Sequence, residues 1–390
     1  MTLDFIAREL DQIRRQDLYR QLRRVEGAQG PSIRMDGREV LNLSSNNYLG
    51  LANHPALAAA AQKALDQFGC GSGASRLISG NTTLHEELEE RLRRWKGTEA
   101  ALVFNSGYQA NTGIVSTLVG AGDTILSDAL NHASLIDGCR LSRARVVVYP
   151  HLCLDRLEAA LKETPGTARK LIVTETVFSM DGDRAPLREI VELAERHGAM
   201  VMVDEAHAAG VFGSTGAGIV EELGLGARIP VQMGTLGKAL GGFGAYVAGS
   251  SNLIDLLINR CRSFIFTTSL PPAVIAMAIS AVELVQSEPH RREALQANAR
   301  FLRDGLQALD FSLGPTSSQI LPLMMGEAAA CMSFAASLLE RGVYAQGIRP
   351  PTVPPGTSRL RITPMATHTR EQLERALRFF KSIKENHEQR

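Results

Sequence analysis

The stretch "AMVMVDEAHAAG", residues 199–210, joins a run of five apolar residues to a short polar turn. A continuous apolar run of this length is typical of a strand buried on both faces of a mostly parallel sheet. Similar runs precede turns elsewhere: "ALVF" at 101–104, "TILSD" at 124–128, "RVVVY" at 145–149, "KLIVTE" at 170–175 and "VQMGT" at 231–235. Helical stretches alternate with these runs, so the sequence predicts an α/β fold whose central sheet is flanked by helices.

The order of the predicted elements divides the chain of 390 residues into an arm and two domains. Helical periodicity in the first two dozen residues and a hairpin turn at Asp36-Gly37 predict an N-terminal helix and arm over residues 1–52. The large α/β domain is expected over residues 53–285. Residues 286–390 contain the strand-like runs "SQILPLMMG" and "SRLRITP" and a closing amphipathic helical stretch, which predict a smaller α+β domain.

The composition excludes several classes of protein. With 44% hydrophobic residues and a net charge of +1, the chain has no bulk attraction for nucleic acid or an anionic membrane. No apolar run is long enough to cross a bilayer, and the first residues lack the apolar segment of a secretory signal. Five scattered cysteines without a C-x-x-C pair fit a reducing compartment. We therefore expect a cytoplasmic protein that acts on small molecules.

Polar residues directly after the predicted strands are the first candidates for a site, because ligands of open α/β sheets lie beyond the carboxyl ends of the strands. Ser106, Gly107 and Tyr108 follow "ALVF" and precede a helical stretch. The start of that helix would direct unpaired backbone amides at an anion such as a phosphate. An ordinary turn with a helix cap explains the same residues, so both interpretations stay open at this point.

Three further strands end in an acidic residue that is followed closely by a histidine or a serine. The pairs are Asp204 and His207, Asp128 and His132, and Glu175 and Ser179. Taken singly, each pair is explained as well by a capping or packing role. Their expected convergence at one edge of one sheet favours a shared site.

Lys238 stands among small residues in "GTLGKALGG", residues 234–242. The stretch is not a Walker A loop, because Gln232 occupies the position of the first glycine and Ala239 that of the magnesium-binding hydroxyl. A surface turn is the ordinary explanation of Gly-Lys-Ala. Small neighbours also suit a lysine whose amine must reach a cofactor closely and move away again.

A lysine-linked cofactor explains these residues better than a metal or a hydrolytic triad. Asp204 and His207 lack an H-x-x-x-H partner, and no G-x-S-x-G nucleophile elbow is present. A phosphate site, a carboxylate for a ring nitrogen, histidines and an amine together describe a site for pyridoxal 5'-phosphate (PLP). The sequence therefore predicts PLP as the cofactor and no metal.

Six motifs occur in an order that resembles the α-oxoamine synthases, a family of fold-type-I PLP enzymes. The motifs are "NNYLGLANHP", "NSGYQAN", "NHASLIDG", "VFSMDGD", "VDEAHAAGVFG" and "GTLGKALGG". The resemblance covers about residues 15 to 380, and the set of motifs is specific to the family. It implies a fold-type-I PLP-dependent transferase that joins an amino acid to an acyl thioester with loss of carbon dioxide.

The resemblance also implies roles at the cofactor. Lys238 would form the Schiff base and transfer protons, Asp204 would keep the pyridine nitrogen protonated, and His132 would stack on the ring. These three residues and His207 are the implied catalytic residues. The remaining implied contacts are His207 and Ser179 on the ring oxygen, and Ser106, Gly107, Tyr108 and Thr235 at the phosphate.

A substrate site is implied in the same way. Arg361 would bind the amino-acid carboxylate with help from Asn47, while Arg20, Thr352 and His132 match positions that contact substrate. A second subunit is implied as well, because two further residues resemble those that reach the phosphate of a neighbouring subunit. These residues are Thr267 and Thr268, and they imply a homodimer with shared sites.

The stretches "GIRPPTVPPGTSRLRITP" and "GSGASRLISG" are most similar to the family members of the biotin pathway. Those members join L-alanine to a pimeloyl group carried by coenzyme A or by a carrier protein. Relatives that pair glycine with acetyl-CoA, or that use serine or succinyl-CoA, remain alternatives. A non-catalytic partner subunit of the same fold is a further alternative, although such a chain typically lacks the lysine that is present here as Lys238.

Overall fold

The computed structural model describes residues 3–388. Its α-helices are α1 (Asp4–Arg15), α2 (Pro55–Phe68), α3 (Thr83–Lys96), α4 (Gly107–Leu118), α5 (Ala133–Ser142), α6 (Leu154–Glu163), α7 (Leu187–His197), α8 (Ile219–Glu222), α9 (Ser251–Arg260), α10 (Arg262–Ile265), α11 (Pro272–Ser287), α12 (His290–Ala308), α13 (Ala328–Glu340) and α14 (Arg370–Glu388). Its strands are β1 (Val25–Glu26), β2 (Ser32–Met35), β3 (Arg38–Asn42), β4 (Ala100–Phe104), β5 (Thr124–Asp128), β6 (Arg145–Tyr149), β7 (Lys170–Glu175), β8 (Met200–Asp204), β9 (Val231–Thr235), β10 (Ala245–Gly249), β11 (Leu321–Gly326), β12 (Val343–Tyr344), β13 (Gln346–Ile348) and β14 (Ser358–Ile362).

Contacts divide the described chain into two compact units. The sheet unit comprises Leu49–Ser179 and Asp183–Glu293. The terminal unit comprises residues 3–48, Met180–Gly182 and residues 294–388. Each unit has its own hydrophobic core.

A seven-stranded sheet forms the centre of the sheet unit, in the order β4-β10-β9-β8-β7-β5-β6. The neighbours from β9 to β6 all pair in parallel, which confirms the predicted α/β architecture. All six runs quoted from the sequence form strands of this sheet. The strand that the sequence analysis missed is β10, which pairs antiparallel with both β4 and β9.

The core of the sheet unit explains why the strand sequences are continuously apolar. Every residue of β5 and β7 is buried, and their apolar side chains pack with residues of α4 and α5 such as Ile114 and Leu135. Burying one such side chain fully contributes about 2 kcal/mol relative to its exposure to water. Strand β6 lies at the edge of the sheet and is more exposed, with Val146 and Val148 open to solvent.

The parallel pairing places the carboxyl ends of neighbouring strands at one edge of the sheet. Asp128, Glu175, Asp204 and Thr235 are the last residues of β5, β7, β8 and β9, respectively. Their backbone positions follow one another along that edge because adjacent parallel strands end at matching registers. The predicted convergence of polar residues is therefore present in the fold.

The terminal unit contains two small sheets. One has the order β1-β2-β3-β12 and includes the predicted hairpin, in which Asp36 and Gly37 adopt positive φ angles of 49° and 81°. The other has the order β11-β14-β13 and is antiparallel throughout. Helices α13 and α14 pack their apolar sides, including Phe334 and Phe380, into the core of this unit.

The terminal elements differ from the sequence analysis in two respects. The N-terminal helix ends at Arg15 rather than continuing over the first two dozen residues, and none of its residues is buried. A helical pattern without a packing face gains little from tertiary burial, so it does not extend the helix. Helix α13 and the short strands β12 and β13 were not predicted, whereas α14 covers the closing stretch up to Glu388 and Gln389 and Arg390 lie outside the described residues.

No helix within residues 3–388 combines the length and the apolar character needed to cross a membrane.

Candidate active site

Asp204 ends β8 and is almost fully buried, with 5% of its surface exposed. Its carboxylate accepts a hydrogen bond of 2.8 Å from the side-chain amide of Asn111 and another of 2.8 Å from the backbone N–H of Ala206. A buried carboxylate needs such donors to retain its charge. The arrangement presents a fixed negative charge at the carboxyl edge of the sheet.

Helices α4 and α5 connect this carboxylate to His132. The side-chain amide of Asn111 in α4 also donates to Ser134 Oγ at 2.9 Å, and that oxygen lies 2.8 Å from His132 Nδ1. His132 caps α5, where its Nδ1 accepts the backbone N–H of Ser134. Its own backbone N–H donates to Glu175 Oε1 at 2.6 Å. The predicted residues Asp204 and His132 therefore belong to one hydrogen-bonded network.

Electrostatics of the same network favour a neutral His132 and a protonated Glu175. Burial raises the pKa of Glu175, and the charge of Asp204 adds to the rise, while Lys238 and two backbone hydrogen bonds oppose it. Desolvation lowers the pKa of His132. The negative charge of Asp204 opposes this shift, and the positive charge of Lys238 adds to it. Lys238 and Asp204 each act on both Glu175 and His132, so the four residues share one electrostatic environment.

Lys238 follows β9 on the turn between Leu236 and Gly241 and is half-buried. Its Nζ lies 2.9 Å from His207 Nε2, and His207 is itself buried three residues beyond Asp204. The turn after β8 and the turn after β9 thus bring together the two residues that the sequence places in separate motifs. A lysine amine held by an imidazole in this way is suited to bonding a carbonyl group and to moving a proton.

The start of α4 forms the second part of the site. Ser106 caps the helix by accepting a hydrogen bond from Gln109 N–H. The first amides of the helix, at Gly107 and Tyr108, have no intrahelical partners, as at any helix start. A Cβ on Gly107 would lie 2.9 Å from Thr235 Cγ2, so glycine permits this close approach. Thr235 Oγ1 is buried and has no hydrogen-bond partner among the described residues. Together these groups form a cradle of donors for an anion.

Four predicted cofactor residues also make hydrogen bonds within the described chain. Ser179 is buried in the loop after β7, where its backbone N–H donates to Glu175. Thr267 and Thr268 lie beyond α10 and are held by Asn105, whose side-chain amide donates to Thr267 Oγ1 at 3.1 Å and to the carbonyl oxygen of Thr268 at 2.6 Å. The side chain of Tyr108 is half exposed and its hydroxyl donates to Asp137.

Four of the five predicted substrate residues belong to the terminal unit, and the fifth, His132, belongs to the sheet unit. Arg361 lies in β14 and is buried, and its guanidinium donates to Asn46 Oδ1 at 3.0 Å and to the Tyr48 hydroxyl at 3.2 Å. Asn47 is next to both partners in the sequence and is also buried. Arg361 therefore contacts the residues on both sides of Asn47.

Arg20 and Thr352 form a second group in the terminal unit. The Arg20 guanidinium donates to the carbonyl oxygen of Pro350 at 3.0 Å, at the start of the loop that carries Thr352. Arg20 also lines a cavity of about 850 Å³ together with Ser44 and Arg349. Asn47, Thr352 and Arg361 do not line that cavity.

Sequence reasoning did not assign roles to three residues that the structure places in the network. These are Asn111 and Ser134, which join Asp204 to His132, and Glu175, which holds the backbone of His132. Asn111 is the last residue of the motif "NSGYQAN" and lies five residues after the Ser106 cap. Its place in that motif was the available signal, and the structure shows that it is buried. Among the described residues, no group of three or more His, Cys, Asp or Glu side chains is arranged to hold a metal ion.

The residues of the sheet unit fit PLP. Its site supplies a buried carboxylate for a ring nitrogen, an amine for an aldehyde and a helix start for a phosphate. The observation that tests the fit is the buried Thr235 hydroxyl beside Gly107, because a buried hydroxyl without a partner is costly unless a bound group satisfies it.

Comparison with known proteins supports this interpretation. The family described as "Aminotransferase class I and II" matches residues 38–380. A curated 8-amino-7-oxononanoate synthase from Geobacter sulfurreducens is 58% identical over 374 residues, covering 95% of this chain and 96% of the relative. The match spans nearly the whole length of both chains.

Two solved structures show the same fold. A serine palmitoyltransferase variant from S. paucimobilis with bound PLP and myriocin matches with a TM-score of 0.93 and 36% identity, covering 98% of this chain and 97% of the other. An 8-amino-7-oxononanoate synthase from Francisella tularensis matches with a TM-score of 0.77 and 28% identity, covering 89% and 98%. These matches confirm the predicted fold-type-I architecture.

Proposed function

Since the chain belongs to the family of class I and II aminotransferases, we propose that it condenses L-alanine with a pimeloyl thioester to 8-amino-7-oxononanoate. The other products are carbon dioxide and a free thiol, and the cofactor is PLP. The observation that carries the proposal is 58% identity to a curated enzyme of that name across 95% of this chain. The reaction is a step of biotin biosynthesis, as the sequence motifs implied.

The chemistry requires a carbanion at the α-carbon of alanine. PLP, when bound, supplies the electron sink that makes this carbanion accessible. Lys238 Nζ removes and returns the proton at the α-carbon, and His207, 2.9 Å away, orients the amine. Asp204 holds a proton at the pyridine nitrogen, because its buried charge is fixed by Asn111 and the Ala206 amide.

The bonds exchanged in the reaction balance without an added oxidant or reductant. The α-carbon of alanine forms a bond to the thioester carbonyl carbon, and the C–S bond breaks to release the thiol. The bond to the carboxylate carbon then breaks, carbon dioxide leaves, and a proton takes its place. The protein contributes orientation and fixed charge to these steps.

Substrate recognition is assigned to four residues of the terminal unit and to His132 of the sheet unit. Arg361 binds the carboxylate of alanine, since a planar guanidinium offers paired donors to a carboxylate, and Asn47 assists it. Arg20 and Thr352 contact the acyl substrate, and His132 steers the amino acid. The support for these roles is the placement of Arg361 beside Asn46 and of Arg20 beside the Thr352 loop.

The assembly and the location of the enzyme follow from the same family membership. We assign it to a homodimer in which Thr267 and Thr268 reach the phosphate of the neighbouring subunit, and to the cytoplasm. Free cysteines support a reducing compartment: Cys70, Cys139, Cys153, Cys261 and Cys331 are all unpaired. Light scattering of the PLP-loaded protein measures the number of subunits directly.

Thiol release from pimeloyl-CoA tests the proposed activity. Purified PLP-loaded protein is supplied in parallel with L-alanine, glycine or L-serine. Alanine is expected to support thiol release at least about ten-fold faster than either competitor, because a pocket typically distinguishes substrates that differ by one small group by about this factor. Lys238→Ala is the matched control and should release no thiol above background. A pimeloyl carrier protein replaces the coenzyme A thioester in a second series, to identify the natural carrier.

Two results would overturn the proposal. Faster release from acetyl-CoA with glycine would assign the chain to the glycine-using relatives. Faster release from palmitoyl-CoA with L-serine would assign it to the serine palmitoyltransferases, whose structures match at 36% identity. Retention of turnover by Lys238→Ala would contradict the role of that lysine.

A further inference from the structure

His151 lies directly after β6 and connects two carboxylates of the sheet unit. Its Nδ1 is 2.8 Å from Asp128 Oδ1, and its Nε2 is 2.8 Å from Asp183 Oδ2. A neutral imidazole has one N–H, whereas two carboxylate acceptors need two donors, so His151 carries a positive charge. The Asp128 and Asp183 side chains are almost fully buried, with 1% and 5% of their surfaces exposed.

Asp128 extends this bridge into the loop after β5. Its carboxylate also accepts the backbone N–H of Leu130 at 2.9 Å and that of Leu152 at 3.0 Å. The loop after β5 leads within four residues of Asp128 to His132. The bridge therefore ties the backbone that carries His132 to the turn that carries His151.

Asp183 extends the bridge into the loop after β7. Its carbonyl oxygen accepts the backbone N–H of Phe178 at 3.0 Å, and the Phe178 ring meets the His151 ring edge to face, with ring centroids 4.4 Å apart. Phe178 is the neighbour of Ser179. His151 thus contacts the loop that carries Ser179, a predicted cofactor residue.

We propose that His151 is a positioning residue, whose charged bridge between Asp128 and Asp183 fixes the loops that present His132 and Ser179 to the cofactor. The inference rests on the PLP site of the proposed function and does not depend on the identity of the substrates. None of the sequence motifs assigned a role to His151 or Asp183. Removing His151 leaves two buried carboxylates without their shared counter-charge, and repulsion between them moves the two loops apart.

Binding of PLP to His151→Gln tests the inference. A glutamine side chain has no charge and donates from one end only, so the bridge is broken. We expect the dissociation constant for PLP to rise about ten-fold and the visible circular dichroism per bound PLP to fall, because the ring is held less rigidly. The matched control is His197→Gln, a histidine beside Glu158 at the end of α7, which should bind PLP within about two-fold of wild type.

Asp183→Asn keeps the test decisive if His151→Gln does not fold. The asparagine retains an oxygen acceptor for His151 but removes one charge, so PLP binding should weaken about three-fold with unchanged far-ultraviolet circular dichroism. Wild-type PLP affinity and dichroism in both variants would overturn the proposal. A lowered Tm with unchanged PLP dichroism would also overturn it, since that result indicates a purely structural role.

Cofactor binding is measured without substrates, so the two hypotheses fail separately. A wild-type protein that binds PLP but condenses no alanine contradicts the proposed function alone. Folded variants that also release thiol provide a further readout, in which kcat should fall more than KM rises because the His132 and Ser179 contacts act on the cofactor.

Discussion

At the residue scale, the environment of Asp204 shows how the fold prepares one side chain for its proposed role. Two hydrogen-bond donors, from Asn111 and from the backbone of Ala206, hold the carboxylate in the interior. Such hydrogen bonds offset the cost of burying a carboxylate away from water. The donors come from α4 and from the turn after β8, so both elements must be in place for the site to form.

Asp204→Asn tests the importance of this charge. The amide has nearly the same shape but no negative charge with which to hold a proton on the pyridine nitrogen. We expect kcat for thiol release to fall about 10³-fold, a magnitude typical of lost electrostatic stabilisation in an active site. The measurement is steady-state thiol release with saturating L-alanine and pimeloyl-CoA.

Asp123→Asn provides the matched control for that variant. Asp123 is also buried, but it precedes β5 at the opposite edge of the sheet, where it accepts the backbone N–H of Gly120 and of Arg169. Its replacement should leave kcat of the folded protein within about two-fold of wild type. A kcat for Asp204→Asn above half the wild-type value would refute the role of the charge.

At the element scale, α4 is held unusually close to Cys261, which precedes α10, and to Ser263 within α10. A Cβ on Gly113 would overlap Ser263 Oγ and Cys261 Sγ, so glycine is required in the middle of this helix. Glycine costs a helix interior about 1 kcal/mol relative to alanine. The close packing offsets that cost and sets the position of Asn111 and of the helix start at Gly107.

Gly113→Ala is therefore expected to destabilise the protein, although alanine is the better helix former. Overpacking of a tight contact costs about 2 kcal/mol. The midpoint of urea unfolding should fall, and PLP should bind more weakly because α4 shifts. Gly166→Ala is the control, since a Cβ at Gly166 meets no atom within 4 Å and its effect should stay within about 0.5 kcal/mol. An unchanged unfolding midpoint for Gly113→Ala would show that the contact relaxes without cost.

At the scale of the whole molecule, each unit contains a buried histidine that is neutral in the fold. Burial lowers the pKa of His85 in the sheet unit to about 4, with repulsion from Arg76 in the same direction. Burial also lowers the pKa of His368 in the terminal unit to about 4, although hydrogen bonds with the surrounding backbone act to raise it. Both histidines take up a proton when the chain unfolds below pH 6.5, the ordinary pKa of the side chain.

Acid should therefore destabilise both units. A histidine with a depressed folded-state pKa contributes stability that is present above pH 6.5 and is lost as the pH falls through 6.5 towards 4. The loss amounts to no more than about 3 kcal/mol for each histidine. The urea midpoint of wild type should fall between pH 7 and pH 4.

The double variant His85→Gln, His368→Gln isolates this contribution. Glutamine has no titratable group, so the urea midpoint should fall less between pH 7 and pH 4 in the variant than in wild type. The carboxylates of the two proteins titrate equally, so they do not contribute to the difference. Unfolding is followed by two probes because two units need not unfold in a single transition. An identical pH dependence in variant and wild type would contradict the assignment.

The candidate site was predictable in part from single residues. Lys238, Asp204 and His207 stand in short motifs, and the polar residue after an apolar run marks the carboxyl end of a strand whatever the rest of the fold is. The domain boundaries at residues 52 and 285, and the roles of all the predicted site residues, stay predictions. The shortening of α1 and the insertion of β10 were not predicted, because the first depends on the absence of a packing partner and the second on pairing with distant strands.

The sequence by itself determined the six strands and the row of polar residues at their carboxyl ends, and it singled out the lysine proposed for the cofactor site. These features depend on the order of residues over about ten positions, which periodicity and turn residues record directly. Only the tertiary structure decided that Asn111 joins Asp204 to Ser134, and that His151 bridges Asp128 and Asp183. Those contacts, and the charge state of His151, depend on distances between residues that are far apart in the chain, and no local pattern of residues encodes such distances.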